Sequence, residues 1–289
     1  MKDAALSWQI GEVKVTRIVE MMLPLKAGEP GTFLPQATPE ALGRHPWLYP
    51  HFVSDTHELL LSIHALLVEA PGLRLVVDTC IGNDKPRRLL GGSALSTKFL
   101  GHMAEAGWSR DSVDAVVCTH MHVDHVGWNT MLEDGAWVPT FPKARYLFNR
   151  TEFDHWNAND DEGQRQIMAD SVQPILAAGL AEFVPGDHRL SDEVRLIPSI
   201  GHTPGHVSVT IESQGRRAAI TGDISHHPCQ MPHPDWSPAF DEDPAQAAQT
   251  RARLFGEWAD GEVLVIGTHY AGPTAGYVRR ERDAFRFEV

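Results

Sequence analysis

Apolar residues along this chain fall mostly into short, near-continuous runs. The clearest are 59–69 and 73–78, on either side of Ala70-Pro71-Gly72. So few polar residues interrupt them that both faces of each strand should be buried. Positions 12–19 alternate around Val13 and Val15 and predict the first strand. Shorter runs predict strands at 115–118, 144–148, 194–197, 207–211, 218–220 and 263–266, the last of them just before Gly267-Thr268-His269. Helical spacing appears at 94–106, where Leu95, Phe99 and Met103 share a face and Gly107-Trp108 ends the pattern. It returns at 150–156 and 162–178, separated by the polar residues 157–161, and again from Pro244 to about Ala259. There Asp243 is the expected N-cap, Pro244 the first helical position, and Ala247, Leu254 and Trp258 the inner face. Residues 128–142 carry Trp128, Trp137 and Phe141 and read as a loop.

The stretch 23–50, running on to about Thr56, resists assignment. It holds Pro24, Pro30, Pro35, Pro39, Pro46 and Pro50 with Phe33, Trp47 and Tyr49 between them. So long a connection without elements is unusual in a compact domain, and suits a pocket wall, a lid or a subunit contact. The strands separate into groups before and after Pro142, each flanked by helices. That pattern predicts a single α/β domain over 1–289, a four-layer αβ/βα sandwich with halves at about 1–142 and 143–289.

Composition narrows the function. The 289 residues suffice for a sizeable core. The formal charge of −13, from 25 basic and 38 acidic residues, argues against a nucleic-acid partner, which needs a basic surface. Cys80, Cys118 and Cys229 form no CxxC and no even set, so no disulfide framework is expected. No apolar run approaches the roughly 20 residues that span a bilayer. The N-terminus from Met1 to Ser7 lacks a signal-peptide core, so the expected compartment is the cytoplasm.

Chemistry concentrates at Thr119-His120-Met121-His122-Val123-Asp124-His125-Val126-Gly127, following the apolar run at 115–118. His120 and His122, at i and i+2 on a turning segment, project to one side and can grip one ion. Asp124, which can also open a helix, and His125 lie past the turn and are placed for a second ion. Lone histidines are usually solvated loop residues; four ligands within six residues are not. A catalytic pair of metals needs further ligands, and the other strand ends offer them. His202 stands in Gly201-His202-Thr203-Pro204-Gly205-His206, Asp223 in Thr221-Gly222-Asp223, and His269 in Gly267-Thr268-His269. The two oxygens of Asp223 suit a bridge between cations. His206 is expected to hydrogen-bond behind the ligands. Asp78, at another strand end, is expected either to orient a ligand histidine or to cap a loop.

Together, His-x-His-x-Asp-His, Gly-His-Thr-Pro-Gly-His, Gly-Asp and a strand-terminal His resemble the metallo-β-lactamase superfamily over nearly the whole chain. The resemblance implies the αβ/βα sandwich and two divalent ions, zinc first with Mn, Fe or Co as alternatives. It implies His120, His122 and His202 on one metal, Asp124, His125 and His269 on the other, and Asp223 bridging. The absence of a ligand cysteine resembles the branch containing glyoxalase II, the N-acyl-homoserine lactonases and the methyl parathion and dihydrocoumarin hydrolases. The lactonases typically place a tyrosine three residues after the bridging Asp; here that residue is His226, with Gln230 following, as in the methyl parathion hydrolase group.

The implied activity is hydrolysis of lactones, aryl esters or phosphotriesters by a metal-bridging hydroxide, with lactonase or arylesterase first. Alternatives are a homoserine-lactone quorum-quenching lactonase, a phosphotriesterase, a glyoxalase II-like thioesterase, or a mononuclear-iron persulfide dioxygenase. Asp124 is the expected proton shuttle and His226 the group that positions substrate, although the adjacent His227 could be confused with it. The partner is a small ester or lactone, with no nucleic acid and no membrane. Relatives are often homodimers, with 23–50 a candidate contact. An apolar pocket is expected, with Met22, Phe33, Trp47, Trp128, Trp156, Met231 and Trp236 as wall candidates.

Overall fold

A computed structural model describes residues 6–289; the N-terminal reading at residues 1–5 lies outside them. In chain order the strands are β1 (Ser7–Ile10), β2 (Val13–Leu25), β3 (Leu59–Ala70), β4 (Leu73–Val77), β5 (Ala115–Val117), β6 (Thr130–Glu133), β7 (Ala136–Pro139), β8 (Arg145–Asn149) and β9 (Ala181–Val184). They continue with β10 (Val194–Pro198), β11 (Val207–Ser213), β12 (Arg216–Ile220), β13 (Leu264–Ile266), β14 (Ala275–Glu281) and β15 (Ala284–Glu288). The helices are α1 (Pro39–Gly43), α2 (Phe99–Glu105), α3 (Arg150–Asn157), α4 (Glu162–Ile167), α5 (Gln173–Ala177) and α6 (Pro244–Asp260). One sheet runs β1-β2-β3-β4-β5-β8-β9 and the other β10-β11-β12-β13-β14-β15.

Strand alternation builds the layers. Leu75, Val77, Ala115, Val117, Ala218 and Ile220 point between the sheets and form one core with Val68, Leu196 and Val209. Their neighbours Val76 and Val116 point outward and pack with Phe99, Met103, Phe153 and Ile175 from the helices on that side. Ala219 and Val265 point out of the second sheet, onto Leu254, Phe255 and Trp258 of α6. Three apolar cores separated by two sheets make the four-layer αβ/βα sandwich. They also explain why the central strands lack polar residues on either face; each buried Val or Leu contributes about 1.5–3 kcal/mol.

Several elements differ from the sequence reading. The change of sheet comes between β9 and β10, not near Pro142, because β8 and β9 add in parallel to β5. Residues 130–139 form the β6–β7 hairpin rather than a loop. Its turn is Asp134-Gly135, both with positive φ, the backbone that a two-residue hairpin favours. The predicted helix 94–106 begins only at Phe99, since Asn83 holds the preceding segment: its Oδ1 accepts from Thr97 N at 2.7 Å. Strands β14 and β15 lie beyond the last predicted strand. They put Ala275, Val278, Phe285 and Phe287 into the cores and leave charged residues on the other side, so they contain no continuous apolar run. Helix α6 begins on Pro244 with the Asp243 carboxylate accepting from Gln246 N, as the N-cap reading predicts. The stretch 23–50 is packed down: Leu34, Leu42 and Leu48 are fully buried against the second sheet's outer core. Among the described residues no helix is long and apolar enough to cross a membrane.

The hairpin covers a buried cation. Lys85 Nζ lies 3.5 Å from the Trp137 ring centre and donates to Thr130 Oγ1 at 2.9 Å. Burial lowers its pKa to about 7. The unfolded lysine still binds its proton between about pH 7 and its ordinary value, while the folded one does not. Stability therefore rises with pH across that window, by on the order of 1 kcal/mol per unit at most. Lys85→Met should flatten this rise in denaturant titrations from pH 7 to 10; an unchanged slope would show that Lys85 is not its source.

Candidate active site

Strand ends along one edge of the sandwich supply the site. Asp78 follows β4 and stands at φ 57. Its Oδ1 accepts from Thr119 N at 2.7 Å, its Oδ2 from Thr119 Oγ1 at 2.9 Å, and Oδ2 lies 3.0 Å from His125 Nδ1. It therefore orients the motif that follows β5, the first of the two roles expected of it. The motif does not open an α-helix at Asp124. Gly127 N and Trp128 N donate instead to Cys80 O and Thr79 O, each at 2.7 Å, pinning the turn against the loop after β4. Only glycine fits at 127, where a Cβ would stand 1.9 Å from Ile81 O. Gly222 is required in the same way, because a Cβ there would meet His206 Nε2 at 2.5 Å. His206 uses that approach to accept from Asp223 N at 2.8 Å, the supporting role expected of it.

All seven residues predicted as ligands come together, in two groups. His120, His122, His202 and Asp223 form one; Asp124, His125 and His269 form the other. In the first, His122 Nδ1 lies 3.0 Å from both His120 Nε2 and His202 Nε2. Ring centroids are 4.6 Å apart for His120–His122 and 4.7 Å for His122–His202. An in-line N–H···N bond would hold such rings about 5.3 Å apart, so the ring axes bend toward a common point. Asp223 Oδ2 lies 3.6 Å from His120 Nε2 and from His202 Nε2. In the second group, His269 Nε2 is 3.3 Å from His125 Nε2 and 3.6 Å from Asp124 Oδ2. Tetrahedral metal–nitrogen bonds of 2.0–2.1 Å imply donor separations of about 3.3 Å, close to these values. Asp223 faces both groups: Oδ2 also lies 3.2 Å from His125 Nε2, and Oδ1 lies 3.1 Å from His269 Nε2.

Protonation supports the fit. Ser62 O, 3.0 Å from His269 Nδ1, can only accept. In the neutral ring the proton is therefore on Nδ1, and Nε2 turns a lone pair toward the Asp223 carboxylate. Asp223 Oδ1 is buried with no hydrogen-bond donor. Facing lone pairs repel on their own and are favourable around a cation. Burial holds His120, His122 and His202 well below the usual histidine range, in the neutral form that ligates metals. Burial also opposes charge on His125 and His269, but Asp223 and neighbouring carboxylates outweigh it and raise both. Asp223 is likewise disfavoured as an anion by burial, yet the surrounding imidazoles bring it well below the carboxylate range.

Two supporting carboxylates lay outside the sequence reading. Glu152 Oε1 accepts from Met121 N at 3.0 Å and Trp156 Nε1 at 2.6 Å; Oε2 accepts from Thr203 Oγ1 at 2.7 Å and Gly205 N at 3.0 Å. It ties the His120–His122 turn to the His202 turn. Asp241 Oδ1 lies 2.8 Å from His202 Nδ1, and the fully buried Arg251 stands 3.6 Å from its other oxygen. Neither had a signal in the sequence. Glu152 reads as a first-turn helix acid, and Asp241 belongs to an irregular loop.

His226, not His227, faces the site. His226 Nε2 is 3.1 Å from Asp223 Oδ2, and neither ring nitrogen has a hydrogen-bond partner in the protein. Gln230 Oε1 fixes its backbone, accepting from His226 N at 2.8 Å. His227 turns inward to Phe52 O at 2.8 Å. The site opens into a chamber of ≈ 320 Å³ whose walls are Leu23, Leu25, Phe33, Leu61, Leu89, Val123, Ile167 and Phe240, with Gln164. Of the predicted wall residues only Phe33 lines it. Trp128 instead stacks on Phe99, Met231 and Trp236 lie in the outer core, and Trp156 packs against His122 with centroids 5.1 Å apart. Large aromatics are absorbed by packing, and the chamber is walled mainly by aliphatic side chains. Leu23, Leu25 and Phe33 make the start of the Pro-rich stretch a pocket wall.

Comparison with known proteins agrees with this geometry. Residues 60–269 match the metallo-beta-lactamase superfamily. The N-acyl homoserine lactonase AiiA of Bacillus thuringiensis subsp. kurstaki is 25% identical over 181 residues, covering 58% of this chain and 66% of its own length. The hydrolase AbOPH of the beta lactamase superfamily superposes with a TM-score of 0.81 at 21% identity, covering 100% of this chain and 98% of its own. AidC, a dizinc quorum-quenching lactonase solved with its product, gives 0.77 at 22% identity, covering 98% and 96%. With seven convergent His and Asp side chains at the strand ends of this sandwich, the chain belongs to the metallo-beta-lactamase superfamily, as one of its hydrolases.

Proposed function

We propose that this chain is a dinuclear-metal hydrolase of uncharged lactones and esters. His120, His122 and His202 would hold one ion, Asp124, His125 and His269 the other, and Asp223 both. Two divalent cations, zinc being suited to this nitrogen and oxygen set, would supply Lewis acidity and a water acidified toward neutrality. Asp124, the more exposed carboxylate and part of the chamber wall, is placed to carry a proton to the leaving alkoxide. His226 lines the chamber and its buried ring nitrogens have no hydrogen-bond partner in the protein, which suits it to positioning a substrate oxygen. The chamber's aliphatic walls exclude water and strengthen each of these interactions.

The observation that carries this reading is the pairing of two ligand groups around Asp223 with a chamber that no lysine or arginine lines, among the described residues. Such a chamber favours a neutral substrate over an anionic phosphodiester or a carboxylate-bearing thioester. The test is to strip the protein with chelator, reload it with zinc, and assay homoserine and aromatic lactones, aryl esters, phosphotriesters and an anionic thioester. Neutral substrates should dominate and zinc should restore activity; preference for the anionic thioester would overturn the assignment. For His226→Phe we expect unchanged metal content with kcat lowered by about 100–1000-fold, the usual worth of one positioned donor. Loss of metal in that variant would make His226 a ligand instead.

A further inference from the structure

A second groove of ≈ 370 Å³ adjoins the chamber, lined by Arg88, Asp161, Glu162, Gln164 and Gln166. The two spaces share Leu89, Val123, Gln164 and Ile167 as walls, so they lie side by side with these side chains at their border. Alone, the inner chamber is at the small end of ligand pockets; joined, the two reach the middle of the range.

Leu89 stands at the junction. It is 51% exposed, one of few large apolar side chains so placed. It rides a short turn, Arg88–Leu90, closed at its base by Arg87 N to Ser93 O at 3.0 Å and Gly92 N to Arg87 O at 2.9 Å. That base is anchored inside the protein. Arg87 is buried and bonds Asp170 through two contacts of 2.7 Å, and Ser171 at 3.2 Å. Asp170 lies in the π-helical turn Met168–Val172, a rare element often found at functional sites. A firmly held turn that presents a leucine to solvent between two cavities is accounted for by a ligand lying across it.

Resting on the hydrolase reading above, we infer that Leu89 is a specificity-determining residue, and that substrates carry an arm crossing it from the apolar chamber into the polar groove. The far part of that arm bears hydrogen-bonding groups, matched to Gln164, Gln166 and Arg88. Arg87 and Asp170 act as positioning residues for the turn.

Leu89→Ala and Leu89→Trp test this, since the side chain is exposed and neither change disturbs the core. The readout is the ratio of kcat/KM for a twelve-carbon N-acyl lactone to that for its four-carbon homologue. Leu89→Trp should lower this ratio at least tenfold, through KM for the long substrate. Leu89→Ala should shift it by less, and an ω-hydroxyl on the long chain should raise kcat/KM in the wild type. An unchanged ratio in Leu89→Trp overturns the inference. If the zinc-loaded wild type hydrolyses nothing, the hydrolase reading fails. Calorimetric binding of N-acyl amino acids of four and twelve carbons then decides the inference separately: it stands only if Leu89→Trp weakens the long ligand selectively.

Discussion

Asp223→Ala should lose its metal and its activity together. Among the described residues Asp223 is the carboxylate that faces both groups, with Oδ2 between His120, His202 and His125 and Oδ1 toward His269. Two cations a few Å apart repel, and its charge is the nearest counterweight to both. Without it, each group retains three ligands but loses the element that couples them. Hydrolysis should fall by about 10³-fold or more, as expected when the electrostatic stabilisation of a site collapses. Metal analysis of the purified variant should find less than one tightly held ion per chain. Asp223→Asn, which keeps the shape and one coordinating oxygen, should fall between. Two ions and wild-type turnover in Asp223→Ala would remove the bridge from the account.

The second large effect is expected at Glu152, which touches neither group directly. Its carboxylate satisfies four donors from three segments: Met121 N, Trp156 Nε1, Thr203 Oγ1 and Gly205 N. Burial raises its pKa, while these same donors favour the charged form. Truncation to alanine would leave the donors unpaired in a dry interior, at about 1–3 kcal/mol each before relaxation. We expect a net loss of about 4 kcal/mol, seen as a fall in Tm of about 10 °C. Because Glu152 joins the two turns bearing His120, His122 and His202, zinc affinity should also weaken by about 10–100-fold, as is usual when a partner behind the ligands is lost. Glu152→Gln retains one acceptor oxygen and should recover part of both losses. A variant with unchanged Tm and zinc affinity would show that the two turns hold their positions without this tie.

The ligand residues were legible because metal chemistry restricts residue type and the fold restricts place. Histidines and aspartates in the turns that follow apolar runs lie at strand ends, and here seven such residues meet. The central strands were legible because burial on both faces leaves nothing polar to interrupt them. β14 and β15 were not, since one wet face dilutes their apolar pattern. The β6–β7 hairpin announced itself only through Asp134-Gly135, a two-residue signal inside an aromatic-rich stretch. The division near Pro142 failed for another reason. Which sheet a strand joins is decided by pairing partners, and the pairing of β8 with β5 leaves no mark in periodicity.

Glu152 and Asp241, and the bonds that Gln230 makes, were illegible in a different way. Their roles depend on contacts with backbone or side chains distant in sequence, and each residue type has an ordinary local explanation. The choice between His226 and His227 likewise required the turn itself, where Gln230 binds both amides and lets only the first ring face Asp223.

The central claim is that two divalent ions, held by both ligand groups around Asp223, drive hydrolysis of a neutral ester or lactone. The most direct measurement is a zinc titration of chelator-stripped protein, following bound metal and lactone turnover in the same samples. Turnover should appear with metal and saturate at two ions per chain. Full activity at one ion per chain, or turnover that persists in the stripped protein, would contradict it.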